Sequence, residues 1–348
     1  MKILTVIGAR PQFVKAAVLS RIIRNSSSVR EVIVHTGQHF DENMSSIFFQ
    51  QMDIPLPDYN LNINSLNHGA MTGRMIQSIE QLIIKEMPDW VLVYGDTNST
   101  IAGAMAATKL HVKIAHVEAG LRSYNNAMPE EINRILTDRI SDMLFCPTST
   151  AVMNLKKEGI ANHQVIMSGD IMLDAVINYL PKAKSPAIDL PDKFILATIH
   201  RQENTDNSKQ LNEIFSAFNK ISSNLPIIIP LHPRTANLID KSTYKNIIFI
   251  DPAGYFEMLY LLNKCSLVIT DSGGLQKEAF FLKKPCVTIR EQTEWVELVE
   301  NGFNLLSHPH TKDIINAVEI MLGRDLVYNI DLYGKGKAGE IILSELKL

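Results

Sequence analysis

Leu92-Val93-Tyr94-Gly95-Asp96-Thr97-Asn98-Ser99-Thr100, then Ile114-Ala115-His116-Val117-Glu118-Ala119-Gly120-Leu121-Arg122-Ser123, then Met128-Pro129-Glu130-Glu131-Ile132-Asn133-Arg134: these segments decide how the chain is read. Each sets an acid at or just beyond the end of an apolar run or turn. In an open parallel sheet such positions lie at the carboxyl edge of the strands, where ligands bind. Asp96, Glu118 and Glu130 converging there, in a chain without metal-ligand spacing, point to proton transfer. Taken singly, Asp96 and Glu130 also read as helix caps, because each precedes a helix start. Glu118 follows an apolar run and has no such role.

Working outward, short β-branched runs alternate with helix-period segments. The runs are 3–7, 31–35, 90–94, 114–117, 143–146 and 164–167; segments such as 14–24 and 101–110 lie between them. This alternation is the mark of βαβ units and a parallel sheet. It restarts at 194–198 and continues through 227–230, 247–250, 267–270 and 285–289. The stretch 179–192, with Pro181, Pro186 and Pro191 among Lys and Asp, reads as a linker. The expected architecture is α/β, with two Rossmann-like doubly wound domains facing a cleft. Residues 1–178 form the first and 179–348 the second, the final helix being free to pack back on the first.

A chain of 348 residues, 46% hydrophobic, is long enough for two cores. A net charge of -3 argues against a general nucleic-acid surface. Cys146, Cys265 and Cys286 are isolated and form no zinc or disulfide pattern. The N-terminal apolar run is too short for a signal peptide, and no run has membrane-spanning length. These features read as a cytoplasmic protein without membrane or nucleic-acid partners.

Further motifs fall at strand ends. Gly8-Ala9-Arg10-Pro11 follows the first strand, and its spacing is not that of a dinucleotide fingerprint. Arg10 and Lys15 oppose the dipole of the helix that follows, which an anionic ligand would offset. Asp271-Ser272-Gly273-Gly274 joins a strand to a helix. Paired glycines let backbone N–H groups approach a phosphate at the helix start, with the Ser272 hydroxyl as a further donor. A plain turn capped by Asp271 or Ser272 is the alternative. Glu278, a turn later, suits the two hydroxyls of a ribose or simply solvent. His200 ends the first strand of the second half, and His232-Pro233-Arg234 follows another strand.

Together, Gly8-Ala9-Arg10-Pro11, Gly95-Asp96-Thr97, His116 to Arg122, Pro129 to Arg134, His200 to Asn204, His232-Pro233-Arg234 and Asp271 to Glu278 resemble the non-hydrolysing UDP-N-acetylglucosamine 2-epimerases. The resemblance runs in order over nearly the whole chain. It implies a glycosyltransferase-B-like fold and a homodimer. It also implies reversible inversion at C2, interconverting UDP-N-acetylglucosamine and UDP-N-acetylmannosamine for surface polysaccharide precursors, with neither nicotinamide nor metal. The C2 proton is removed, UDP leaves C1, a 2-acetamidoglycal stays bound, and UDP re-adds as a proton reaches the opposite face. The resemblance carries acid/base roles to Asp96, Glu118 and Glu130, with His200 at the departing diphosphate. UDP contacts pass to Arg10, Lys15, His232, Arg234, Ser272, Gly273, Gly274 and Glu278. A loop around Gln38-His39 is similar to one at which bacterial members bind a second UDP-sugar as activator.

The sequence departs from the commoner members at Thr293-Glu294-Trp295-Val296-Glu297, where Arg-Pro is usual, and at Gln12, where Glu is usual. Both departures resemble the branch acting on UDP-2,3-diacetamido-2,3-dideoxy-glucuronate. Trp295 is expected to be an apolar wall, and Arg122, Arg201 and Arg234 are candidate partners for a uronate carboxylate. A retaining glycosyltransferase and a non-catalytic UDP-sugar-binding regulator are the other readings.

Overall fold

Strands buried on both faces must be apolar along their length, because a parallel sheet carries helices on each side. Trp90–Tyr94 and Leu267–Thr270 are buried at every position. In the computed structural model, which describes residues 1–38, 52–231 and 233–348 but not the side chains of Pro233 and Arg234, these runs form the centres of two parallel sheets. The chain divides into two compact units, residues 1–178 with 331–348, and residues 179–330.

The first unit holds β1 (Lys2–Ile7), β2 (Arg30–His35), β3 (Tyr59–Asn60), β4 (Trp90–Tyr94), β5 (Lys113–Val117), β6 (Met143–Cys146) and β7 (Val165–Met167). They lie in the order β3-β2-β1-β4-β5-β6-β7. The second unit holds β8 (Ile195–Thr198), β9 (Ile227–Pro230), β10 (Ile247–Ile250), β11 (Leu267–Thr270), β12 (Cys286–Ile289) and β13 (Asn304–Ser307), in the order β10-β9-β8-β11-β12-β13. Both orders are doubly wound. The winding reverses between β1 and β4 in one unit and between β8 and β11 in the other. Loops leaving adjacent strands at such a point run apart and open a crevice at the carboxyl edge.

Amphipathic helices cover the sheets. Ser208–Ile221 buries Leu211, Ile214, Phe215 and Phe218, spaced for a single helix face, against Ile195, Ile227 and Ile269. In the first unit Met75, Ile79 and Ile83 of His68–Glu86 join Leu4, Val34, Val91 and Val93. The chain end returns to this unit. Ala338–Leu346 packs on Arg10–Arg24, and Asp174 accepts hydrogen bonds from the N–H groups of Ala338 (3.2 Å) and Gly339 (3.0 Å). Residues after the first boundary are fastened to the second unit. The Tyr179 and Phe256 rings lie 5.8 Å apart, and Lys184 N–H donates to the Phe256 carbonyl. Among the described residues, no helix is long and apolar enough to cross a membrane.

Candidate active site

The turns leaving β1, β4 and β5 carry the first group of side chains. Gly95 follows β4 with φ +63°, a conformation that favours glycine. A Cβ there would lie 3.2 Å from Glu118 Oε2 and 3.5 Å from Lys15 Nζ, so the absent side chain gives these two groups their space. Asp96 caps nothing. The cap of helix Asn98–Lys109 is Thr97, whose hydroxyl accepts from Thr100 N–H. Asp96 is left to pair with Arg134, which also donates to Glu131 at 2.7 Å.

Glu118 follows β5 and takes a left-handed φ of 71°. In a residue other than glycine that conformation costs about 1–3 kcal/mol and is held by its surroundings. The N–H groups of Glu118 and Ala119 both donate to the Phe145 carbonyl at 3.1 Å. The carboxylate meets Lys15, and both side chains are nearly buried.

Asp138 fixes this loop from below. It receives His116 Nδ1 at 2.7 Å, Gly120 N–H at 3.1 Å and Arg122 at 2.7 Å. His116 Nε2 meets the Gly95 carbonyl at 2.7 Å, so one buried ring links the two turns. Burial by itself would raise the Asp138 carboxyl. The His116 hydrogen bond and the Arg122 guanidinium outweigh it and hold the group below the usual carboxylate range. Arg122 also grips Glu158 through two nitrogens, at 2.6 and 2.7 Å. Committed in this way and 3% exposed, it is not the partner for a substrate carboxylate that the sequence suggested.

The helix Pro129–Ile140 is turned opposite to its apolar pattern. Its inward residues are Glu131, Arg134, Thr137 and Asp138, while Ile132 and Leu136 are exposed. Glu130 stands exposed in the first turn, and Met128 holds the cap position. Glu131 beside it is fully buried and receives Ser123 N–H, the Ser123 hydroxyl and Tyr124 N–H. The structure therefore brings Glu118 to Lys15 and Asp96 to Arg134, and leaves Glu130 facing outward.

Gln12 is the residue whose role sequence reasoning missed. It is 1% exposed. Its Oε1 accepts from Gly8 and Ala9 N–H at 2.8 and 3.0 Å, and its Nε2 donates to the Tyr94 carbonyl at 2.9 Å and to the Thr97 and Thr100 hydroxyls. One amide thus ties the β1 turn to the β4 turn across the point where the winding reverses. Glu131, Arg134 and Asp138 were also passed over. Their three- and four-residue spacing was the available signal, hidden because polar residues normally mark the outer face. Arg10 opens the first helix, half-buried.

In the second unit, Asp271 is fully buried and accepts from His200 N–H (3.0 Å), Arg201 N–H (3.0 Å) and the Asn204 amide (3.1 Å). It joins the turns after β8 and β11. The His200 ring, partly exposed, stands 3.4 Å from Asp271. Ser272 occupies the cap position of Gly273–Phe281 but makes no capping hydrogen bond, and Gly274 is exposed beside it. A Cβ on Gly273 would fall 2.4 Å from Glu294 Oε1, so a larger residue there requires that carboxylate to move. Glu278 faces Tyr255, whose hydroxyl is driven well above its ordinary pKa, by burial first and then by the Glu278 charge. Trp295 is not a wall toward a ligand. It is 3% exposed and lies under Lys277 Nζ, 4.0 Å from the ring centre. His232, the Arg234 side chain and His39 lie outside the described residues.

The family model of UDP-N-acetylglucosamine 2-epimerase matches residues 21–347. The chain is 54% identical over 99% of both sequences to UDP-2,3-diacetamido-2,3-dideoxy-D-glucuronate 2-epimerase of Pseudomonas aeruginosa. It is 44% identical to UDP-N-acetylglucosamine 2-epimerase of Methanococcus maripaludis, covering 99% of the chain and 97% of that protein. A crystal structure of the Methanocaldococcus jannaschii UDP-GlcNAc 2-epimerase in complex with UDP-GlcNAc and UDP is similar over 100% of this chain and 99% of that one. Its TM-score is 0.93 at 42% identity.

Proposed function

Since the chain belongs to the UDP-N-acetylglucosamine 2-epimerase family and is an isomerase with that family's glycosyltransferase-B-like fold, we propose that it inverts C2 of a UDP-linked 2-acetamido sugar without hydrolysing it. The observation that carries this reading is the pairing of two carboxylates with two cations, Glu118 with Lys15 and Asp96 with Arg134, at the carboxyl edge of the first sheet. A C2–H is a weak acid, so its removal needs a carboxylate held in place. As the proton leaves C2, its bonding pair forms the C1=C2 bond, and the C1–O pair departs with UDP. Re-addition of UDP and protonation from the other face complete the inversion. Asp96, Glu118 and the exposed Glu130 are the acid/base set. Arg10, Lys15, His200, Ser272 and the Gly273 and Gly274 N–H groups take the diphosphate, whose growing charge such donors stabilise. Glu278 takes the ribose, and His232 with Arg234 completes the anion contacts. The protein acts in the cytoplasm as a homodimer.

The sugar we favour is the 2,3-diacetamido uronate, because of the 54% identity to a protein named for it. UDP-N-acetylglucosamine is the second reading, supported by the 44% identity to an enzyme named for that sugar. A buried uronate carboxylate needs a donor. With Arg122 committed elsewhere, half-buried Arg201 is the described candidate. The relatives lend no support to a glycosyltransferase. Incubation with each UDP-sugar in heavy water tests the reading. Deuterium must enter C2 without an acceptor sugar, and its absence with both sugars sinks the proposal. The ratio of kcat/KM for the two sugars assigns the substrate.

A further inference from the structure

The two ion pairs at the first sheet edge are built differently. Arg134 is held at two points, by Asp96 and by Glu131. Among the described residues, Lys15 has Glu118 as its one acid partner. A guanidinium fork bridging two carboxylates is fixed in place, whereas a lone ammonium on a flexible stem can change partners. The Lys15–Glu118 pair lies over Gly95, which has no side chain of its own beside the ammonium. Arg122, another cation near this loop, is committed to Asp138 and Glu158.

We propose that Glu118 and the diphosphate of the substrate compete for Lys15, so that arrival of the leaving group releases the base. The inference rests on the UDP-sugar reading above. A diphosphate offers Lys15 more negative charge than one carboxylate does. Once Lys15 has moved to it, Glu118 loses a neighbouring cation and holds a proton more tightly. Base strength at C2 thus rises only when the group to be expelled is in position. Lys15 acts on Glu118 as a positioning residue and on the diphosphate directly.

The test is a cycle of UDP affinities, measured by calorimetry on the full chain, for wild type, Glu118→Gln, Lys15→Met and the double variant. If Glu118 competes for Lys15, Glu118→Gln tightens UDP binding by about fivefold or more while abolishing turnover. In the Lys15→Met background the same change alters affinity by less than about twofold. Should Lys15→Met not fold, Lys15→Arg keeps the charge; its two-pronged grip on Glu118 weakens UDP binding, and Glu118→Gln restores it. Equal or weaker UDP binding by folded Glu118→Gln, or the same tightening in both backgrounds, overturns the competition. A wild-type protein that does not bind UDP at all overturns instead the functional reading on which it rests.

Discussion

At the scale of single residues, the side chains proposed for acid/base chemistry are distinct from those that hold the turns. Asp96→Asn, Glu118→Gln and Glu130→Gln keep shape and remove the base, and each is expected to lower C2 exchange by about a hundred-fold or more. Near-normal exchange in all three would remove them from the proton-transfer set. Gln12 belongs to the holding group. Gln12→Glu turns a donor toward the Tyr94 carbonyl into a buried anion. We expect a loss of about 1–3 kcal/mol, read from chemical denaturation; unchanged stability would mean that the β1 and β4 turns are tied by other means. Asp138 gives a pH dependence. Its folded pKa is depressed, so its contribution is complete above the ordinary carboxylate range and is lost as pH falls through the folded value. Asp138→Asn therefore lowers the unfolding temperature most near neutral pH. The difference from wild type should shrink by about pH 3, and a gap that does not vary with pH would exclude its charge as the cause.

Elements explain why some residues fall where they do. Helix Gly273–Phe281 begins with a serine whose hydroxyl makes no capping hydrogen bond. An N-cap serine that caps contributes about 0.5–2 kcal/mol. Ser272→Ala should then leave stability within about 0.5 kcal/mol while weakening UDP binding. A stability loss typical of a missing cap, with UDP affinity kept, would reverse that assignment. Helix Pro129–Ile140 shows the opposite case. Its buried polar face is tolerated because Glu131, Arg134 and Asp138 are hydrogen-bonded to the loops they hold. The capping reading of Asp96 and Glu130 fails at this scale, since Thr97 and Met128 occupy those positions.

At the scale of the whole molecule, the last segment belongs with the first. Gly339 packs against Ile22 and Val18, and Asp174 holds the start of that helix. Deleting residues 331–348 uncovers this face and leaves the Asp174 carboxylate without its backbone donors. Hydrogen exchange should then rise through the helix Arg10–Arg24 while residues 195–289 keep their protection. Equal loss in both units would show that they unfold together and not separately.

The sequence by itself determined the alternation of strands and helices, its restart at residues 194–198, the turns at Gly8 and Gly273, and the acids set at strand ends. These are local properties: a parallel strand must be apolar along its length, and a sharp strand–helix turn needs glycine at a particular position. The two-residue β3 and the mixed run of β13 carried too weak a pattern to be found. Only the tertiary structure decided the partners. Gln12 reaches Tyr94 across 82 positions, Arg122 closes on Glu158 across 36, and Ala338 meets Asp174 across 164. Trp295 likewise turns inward under Lys277. A buried polar or charged side chain is stable only where a partner meets it. Which partner does so depends on how distant segments lie side by side, and no local pattern of residues encodes that.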